Sequence, residues 1–427
     1  MKKYYNIAKN NLYPICRSLT GKGIVKTLKI IQNEFPSLKI KKIKSGTKVF
    51  DWHIPSEWNI TDAYVLDKDG LKIIDFKQHN LHIVGYSIPL KTTLTKKNFF
   101  KNLFFLKNQP TAIPYLTSYY KKGWGFCVSY NQFKKFNNKY SSKDKFKIVI
   151  NSSLKNNGNL NYAELILKGK SKKEILISTN ICHPSMANNE LSGPIVTMGL
   201  INYFSKLKLN KTLRFVFIPE TIGSIAYLSK NLNYLKNNVI GGYNLSCIGD
   251  DRQHSLMFSK YQNSASDEAI IAAYKKLRIK NYKIYSFLER GSDERQYNSP
   301  GVDLPISSIF RTKYGSYPEY HTSLDNFDLV TIKGVTGGFK VAKTAIEILL
   351  KNIYPKNKLI CEPQMGKRGL YPTLSAGNLN KLTLSYMDFL QYSDGTNSLK
   401  KISNLIGVKF EAAEKIYYKL KENSLVC

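Results

Sequence analysis

The sequence has no apolar run long enough to cross a bilayer, which excludes a membrane-spanning helix. Its basic start, Met1-Lys2-Lys3-Tyr4-Tyr5-Asn6, is not followed by the apolar core of a signal peptide, so secretion is not expected. Cysteines are few and scattered: Cys16, Cys127, Cys182, Cys247, Cys361 and Cys427 show neither a disulfide framework nor a paired metal spacing. They read as reduced thiols of a cytoplasmic protein. Internal repeats and low-complexity segments are absent, so a repeat architecture is excluded. Acidic residues are scarce, with 30 Asp and Glu against 65 Lys and Arg, and the net charge is +35. Nucleic acid or an anionic membrane surface is one reading of that excess. However, Lys greatly outnumbers Arg, and Asn, Ile and Tyr are abundant, which is the pattern an AT-rich genome imposes on surface positions. Arg, the better reader of bases and phosphates, is scarce. Acidic ligands remain compatible with the charge.

What is present is a chain of 427 residues with an ordinary apolar fraction of 42%, enough for two or three domains with real cores. One stretch organises it. Ile175-Leu176-Ile177-Ser178-Thr179-Asn180 is an apolar, β-branched run, and Ile181-Cys182-His183 follows. A polar loop carrying Asn189 and Glu190 leads to Leu191–Leu207, where apolar residues recur at helical spacing. Strand, polar loop and helix form half of a βαβ unit, and ligands of parallel sheets sit beyond the carboxyl ends of the strands. A His and a carboxylate on such a rim suit a divalent metal. The alternative is an ordinary βα loop with a satisfied His.

Upstream, residues 8–34 read as one or two helices broken at Leu19-Thr20-Gly21, and 38–50 as one or two strands. From Asp51 to about Lys145 the texture changes, with Trp52, Trp58, Trp124 and many prolines. Short strands are predicted at Ala63–Leu66, Lys72–Ile74 and His82–Val84, as in a small β-rich insertion. Phe146–Ile150 and Ala163–Leu167 are expected to pair as a hairpin across Asn156-Asn157-Gly158-Asn159. Strands and helices then alternate through 174–180, 191–207, 213–218, 223–231, 239–248, 266–277 and 337–352, which predicts an α/β fold with a mixed or parallel sheet. Beyond Tyr354, helices are predicted at 382–392, 398–406 and 410–423, the last two with the Gly407 turn of a helix-turn-helix.

Four more stretches offer chemistry in the α/β region. Glu220 ends a buried strand, where a carboxylate can take a proton from a metal-bound water. Taken alone, it is an acid at a helix N-terminus, which the macrodipole favours. Asp250 and Asp251 end another strand, Ser292-Asp293-Glu294-Arg295-Gln296 fills a loop, and His321 precedes Asp325 in a third loop.

This order resembles the zinc aminopeptidase and glutamate carboxypeptidase-like superfamily. Its pattern is a strand-end His, then Asn-Asp-Asp/Asn-x-Ser-Gly, Glu-Glu-x-Gly, a strand-end Asp, a Ser-Asp-His-type loop and a final His before Thr-x-x-Asp. Here His183, Asn188–Gly193, Glu220–Gly223, Ser292-Asp293 and His321–Asp325 match that order. More closely, the chain resembles a bacterial family of aminopeptidase-like proteins often found with polysaccharide-biosynthesis genes. The residues that carry this likeness are Leu12–Ser18, Val49–Trp52, Val84–Pro89, Cys182–Ser185, Arg290–Tyr297 and Cys361–Tyr371. The resemblance implies a zinc-peptidase-like mixed sheet flanked by helices at 1–48 and 146–353, a β-rich insertion at 49–145, and a winged helix-turn-helix at 354–427.

The superfamily's bridging Asp falls on Asn189, its second Glu on Thr221 and its strand-end Asp near Ser246. An amide or hydroxyl does not neutralise a dication as a carboxylate does, so the residues present suit one zinc. His183 and His321 would hold it, with Glu190 the acid ligand and water in the open position. Glu220 matches the superfamily's general base. Asp293 and Glu294 are candidates for the shell or for a substrate amine, Arg295 for a carboxylate, and Asp325 for orienting His321.

Three readings follow. The first is a zinc-dependent hydrolase of an amide bond in a small peptide or an acyl-amino sugar. The second is a binding or regulatory protein that kept the fold and lost catalysis. The third is nucleic-acid binding through the C-terminal helices, where Lys400, Lys401, Lys409, Lys415, Lys419 and Lys421 cluster. No membrane partner is expected, and association of the chain with itself as a homo-oligomer is compatible with each reading.

Overall fold

The computed structural model describes residues 1–370 and 381–427, and Tyr371 of the last motif lies outside them. The chain divides into two compact units, Met1–Glu347 and Ile348–Cys427.

The first unit is built on an eight-stranded mixed sheet. From edge to edge its strands are Lys39–Lys44, Asn159–Leu167, Lys211–Ile218, Ser171–Asn180, Val239–Leu245, Ile306–Phe310, Ser255–Met257 and Lys283–Tyr285. The four middle strands, from Lys211–Ile218 to Ile306–Phe310, are mutually parallel. Ile175, Leu176 and Ile177 are all fully buried, because helices cover the sheet here. That is why the strand reads as an unbroken apolar run and not as an alternation. The chain leaves this strand for one neighbour, Lys211–Ile218, and later returns to the other, Val239–Leu245. Its carboxyl end is therefore the point where the winding reverses, which is where open α/β sheets bind ligands.

The helix Ser192–Phe204 lies against this strand and is buried nearly all round. Gly193 is required at its start: a Cβ there would lie 2.1 Å from Thr179 Oγ1 and 2.2 Å from the Leu245 carbonyl oxygen. Helices Ile222–Asn238, Ala265–Lys276 and Ile332–Lys351 correspond to those expected at 223–231, 266–277 and 337–352, the first ending seven residues later and the last starting five earlier.

The expected hairpin between Phe146–Ile150 and Ala163–Leu167 does not form. Strand Lys145–Lys155 pairs with Glu57–Leu66 and Leu90–Thr95 in a separate four-stranded antiparallel sheet, whose other edge is Lys72–Asp75. Asn159–Leu167 pairs instead with Lys39–Lys44 and Lys211–Ile218. The Asn-Asn-Gly-Asn turn carries the chain from one sheet to the other. Phe146, Ile148 and Ile150 bury one face of the small sheet, and that long-range burial overrides the local turn signal. His82–Val84 is likewise not a strand. Asn80–His82 is a 3-10 turn capped by the His79 ring, and Ile83 makes only an isolated bridge to Phe126.

The second unit contains helices Lys381–Gln391, Leu399–Leu405 and Phe410–Glu422 around Phe389, Leu399, Ile402, Ala413, Ile416, Leu420 and Val426. Gly407, at φ +67°, makes the turn between the last two, a backbone region open to glycine at little cost. Short bridges Lys356–Asp394 and Asn357–Val426 complete a winged helix-turn-helix. No described helix is long and apolar enough to cross a membrane.

Candidate active site

The carboxyl ends of the middle strands bring together residues that lie far apart in sequence. His183 follows Ser171–Asn180, Glu220 follows Lys211–Ile218, and Cys247 follows Val239–Leu245. The Ser292–Arg295 and His321–Asp325 loops fold over the same rim. The backbone here is unusual. Ser185, Thr221, Cys247 and His321 all have positive φ without being glycine, a strain that clusters at functional sites.

His183 is buried and held from behind. Its Nδ1 lies 2.6 Å from Glu190 Oε2, while Glu190 Oε1 accepts the Cys182 backbone N–H. Both carboxylate oxygens are thus engaged, which fixes the ring and leaves Nε2 toward Glu220 Oε2 at 3.7 Å. Burial disfavours the charged imidazole, but the neighbouring Cys182 and Glu190 outweigh it and raise the His183 pKa. Ligand atoms of Cys182, His183 and Glu190 lie within 4.8 Å of one another, close enough to share a metal ion.

His321 is the second imidazole. Its ring stands 5.2 Å from that of His183 and stacks on Tyr320 at 3.9 Å. Burial, followed by the His183 charge, lowers its pKa to about 3, so it is neutral. Among the described residues its buried Nε2 has no hydrogen-bond partner, and neither have the buried Asn189 Oδ1 and Asp293 Oδ2. An unpaired nitrogen on a neutral imidazole and two unpaired oxygens, one on a carboxyl that a cation can deprotonate, suit a site for a divalent cation. The donor set fits zinc on that ground.

Glu220 keeps an opening to solvent, with 18% of its side chain exposed. Oε1 accepts from Ser292 Oγ at 2.5 Å and from Asn180 Nδ2 at 3.1 Å, so Oε2 is the free oxygen. Desolvation raises the pKa of this carboxyl. Asp293, buried and beside Glu220, is pushed up to about 8 by burial and then by the Glu220 charge. Its Oδ1 accepts the Thr221 N–H at 2.7 Å and the Ser224 hydroxyl at 2.8 Å.

The remaining predicted residues occupy supporting positions. Glu294 accepts the N–H groups of Gly291 and Ser292 at 2.9 Å and the hydroxyl of Tyr314 at 2.5 Å, which locks its loop. Asp325 accepts the N–H groups of Asn188 at 2.5 Å and Asn189 at 3.0 Å, and so holds the 187–191 turn. Arg295 donates from Nη2 to Thr221 Oγ1 at 2.7 Å. Asp250, tied to Thr312 and Asn188, braces the same turn from below the rim.

Two further residues of the site carry no sign of their role in the sequence. Tyr115 comes from the segment between the small sheet's strands, and its ring packs edge-on to both His183 (5.0 Å) and His321 (5.2 Å). The segment is pinned there by the Tyr115 N–H to the His321 carbonyl, 2.9 Å, and by Ser323. Arg17 lies within the Leu12–Ser18 motif, but only the structure shows that it reaches His183. Tyr115 directly follows Pro114 and Arg17 stands in an apolar segment, but neither setting implies the distant partner.

Fold and rim together are those of an aminopeptidase-like α/β protein carrying a winged helix. The chain belongs to the family described as a domain of unknown function, DUF4910, over residues 5–352, and residues 352–427 match the winged helix-turn-helix family. A Clostridium acetobutylicum protein, provisionally named a polysaccharide biosynthesis protein with an aminopeptidase-like domain, is 39% identical over 97% of this chain and 94% of its own length. A solved structure of a provisional peptidase from the same organism superposes with a TM-score of 0.79 at 38% identity, covering 100% of this chain and 96% of that one. The fold is also that of a Bacillus subtilis zinc aminopeptidase, with a TM-score of 0.61 at 12% identity over 82% of this chain and 94% of the other.

Proposed function

We propose that this chain is a cytoplasmic zinc-dependent hydrolase that cleaves an amide bond in a peptide or an acylated amino sugar. The observation that carries the reading is Nε2 of His321, a buried nitrogen without a partner among the described residues, on a neutral ring 5.2 Å from the His183 ring. Leaving such a group unpaired costs about 1–3 kcal/mol, and a metal ion removes that cost. His183 and His321 hold the metal. Glu190, expected as the acid ligand, has both oxygens taken by His183 Nδ1 and the Cys182 N–H and orients His183 from behind, while Asn189 and Asp293 are further candidates for the shell. The name of the Clostridium relative favours a substrate from polysaccharide synthesis. Six free cysteines suit a reducing compartment.

Bound zinc supplies Lewis acidity, which polarises the carbonyl and lowers the pKa of a water. The protein's own part falls to Glu220. Ser292 and Asn180 fix one of its oxygens, so the other is aimed and takes the proton of the attacking water. The hydroxyl adds to the acyl carbon, the C–N bond breaks, and Glu220 returns the proton to the leaving nitrogen. Asp325 and Glu294 keep the two loops in place and do not touch the reacting atoms.

Metal analysis of the purified protein tests this reading. About one zinc per chain is expected, lost in His183→Ala and in His321→Ala. A wild-type protein that takes up no metal after zinc reconstitution would sink the mechanism.

A further inference from the structure

The polar groups of the site divide by sign. The buried atoms left without partners at the rim are mostly acceptors: His321 Nε2, Asn189 Oδ1 and Asp293 Oδ2. Arg295 is the opposite case. Its guanidinium has five N–H donors. Nη2 is spent on the neutral hydroxyl of Thr221, and the buried Nε has no partner among the described residues. Among the described residues, no carboxylate lies within ion-pair distance of it. By contrast, Arg214 is clamped between Glu164 at 2.5 Å and Glu174 at 2.6 Å, and Arg252 holds Glu319 at 2.7 Å.

A groove opens at the next residue along the chain. Gln296, the next residue, lines a groove of about 400 Å³ with Phe50, Trp52 and Ile225. Ile225 stands one helical turn beyond Thr221, its N–H donating to the Thr221 carbonyl at 3.0 Å. Arg295 and Thr221 do not line the groove themselves but are one residue and one helical turn from residues that do, and Thr221 directly follows Glu220. The acid of the groove is Asp51, on the hairpin tip with Phe50 and Trp52.

We propose that Arg295 binds a carboxylate of the substrate, so that the amide cleaved belongs to an acidic molecule. Two sources share this chemistry: a peptide with a free terminal carboxylate and an acylated amino-sugar acid. A guanidinium takes a carboxylate through two parallel N–H bonds, which a lysine does not reproduce. The inference rests on the hydrolase reading for which bond is cut, but not for the anion itself.

The test is calorimetric titration of the full-length protein, metal-free and zinc-loaded, with two matched pairs. One pair is N-acetyl-alanyl-alanine and its terminal amide. The other is N-acetylglucosaminuronic acid and N-acetylglucosamine. One acid is expected to bind roughly 10-fold or more tightly than its neutral partner, the scale of hydrogen bonds to a charged group. The pair that responds identifies the source. The preference should disappear in Arg295→Gln and return only in part in Arg295→Lys. The wild-type ratio needs no variant, so a misfolded substitution does not spoil the test. Equal affinities within both pairs overturn the proposal. So does a preference that survives Arg295→Gln or is present only with zinc bound, and so does absence of binding by both acids at millimolar concentration. An acid preference in a protein that takes up no zinc upholds Arg295 and removes the hydrolase. Zinc-dependent amide cleavage without an acid preference does the reverse.

Discussion

Arg17 donates from Nε at 3.2 Å and from Nη2 at 2.9 Å to the backbone carbonyl of His183, and from Nη1 to the carbonyl of Leu12. The guanidinium is 1% exposed and has no carboxylate partner among the described residues. It fixes the main chain at the residue whose ring Glu190 fixes from the side. Arg17→Met leaves the His183 carbonyl unpaired, while that of Leu12 keeps the Ile15 N–H at 3.1 Å, and should destabilise the protein by about 1–3 kcal/mol. It should also weaken zinc binding. Urea unfolding and competitive metal titration check the two effects. A variant as stable as wild type would show that Arg17 is a spectator.

Glu190→Gln keeps the size of the side chain but removes the charge that faces His183 Nδ1. Zinc affinity should fall roughly 10- to 100-fold, as for other partners of a metal-bound imidazole, with the fold retained. Circular dichroism together with metal titration separates loss of affinity from loss of structure.

Glu220→Gln should leave metal content unchanged and lower kcat by about 10²–10⁴-fold on any substrate found, the usual range for a lost general base. A variant that loses both metal and turnover would instead mark Glu220 as a ligand.

The buried Glu220–Asp293 pair predicts a pH effect. Burial and mutual repulsion hold the Asp293 proton up to about pH 8, against 3.8 for an ordinary Asp. A folded-state pKa raised in this way stabilises the metal-free protein fully below about 3.8, and that stability is lost as pH rises toward about 8. A cation entering beside the pair expels the proton, so zinc affinity should climb between about pH 6 and pH 8. Calorimetry in two buffers of different ionisation enthalpy counts the protons released, and release of none would remove Asp293 from the shell.

Gly193→Ala pushes a methyl against Thr179 and the Leu245 carbonyl, neither of which is a flexible side-chain end. The cost expected for such overpacking is about 1–3 kcal/mol, read as a lower midpoint in thermal unfolding.

Much of this site is legible in the amino-acid order itself. The strand into His183, the strand end at Glu220 and the order of the later loops are local patterns, and the family resemblance puts them on one rim. The four helices predicted from 191 to 352 are present where their apolar spacing placed them, but Ile222–Asn238 runs seven residues past its predicted end and Ile332–Lys351 starts five residues early. The partners that complete the site are not legible in this way. Arg17 and Tyr115 act through contacts 166 and over 200 residues distant, and nothing in their neighbourhoods names the other end. The hairpin expected across Asn156–Asn159 fails for a related reason. A turn motif states that the chain reverses, but the buried faces of two different sheets decide what each arm pairs with.

Tyr115 and His321 have a consequence for how the protein is made. The N–H of Tyr115 needs the carbonyl of His321, and its ring lies across two imidazoles that are synthesised 138 residues apart. On a ribosome, a nascent chain that has reached only the His183 loop carries one of the two rim imidazoles, an undocked aromatic segment and no His321. The rim is therefore completed only when nearly the whole first unit has emerged, and under the proposed mechanism metal capture would be one of the last events of its synthesis.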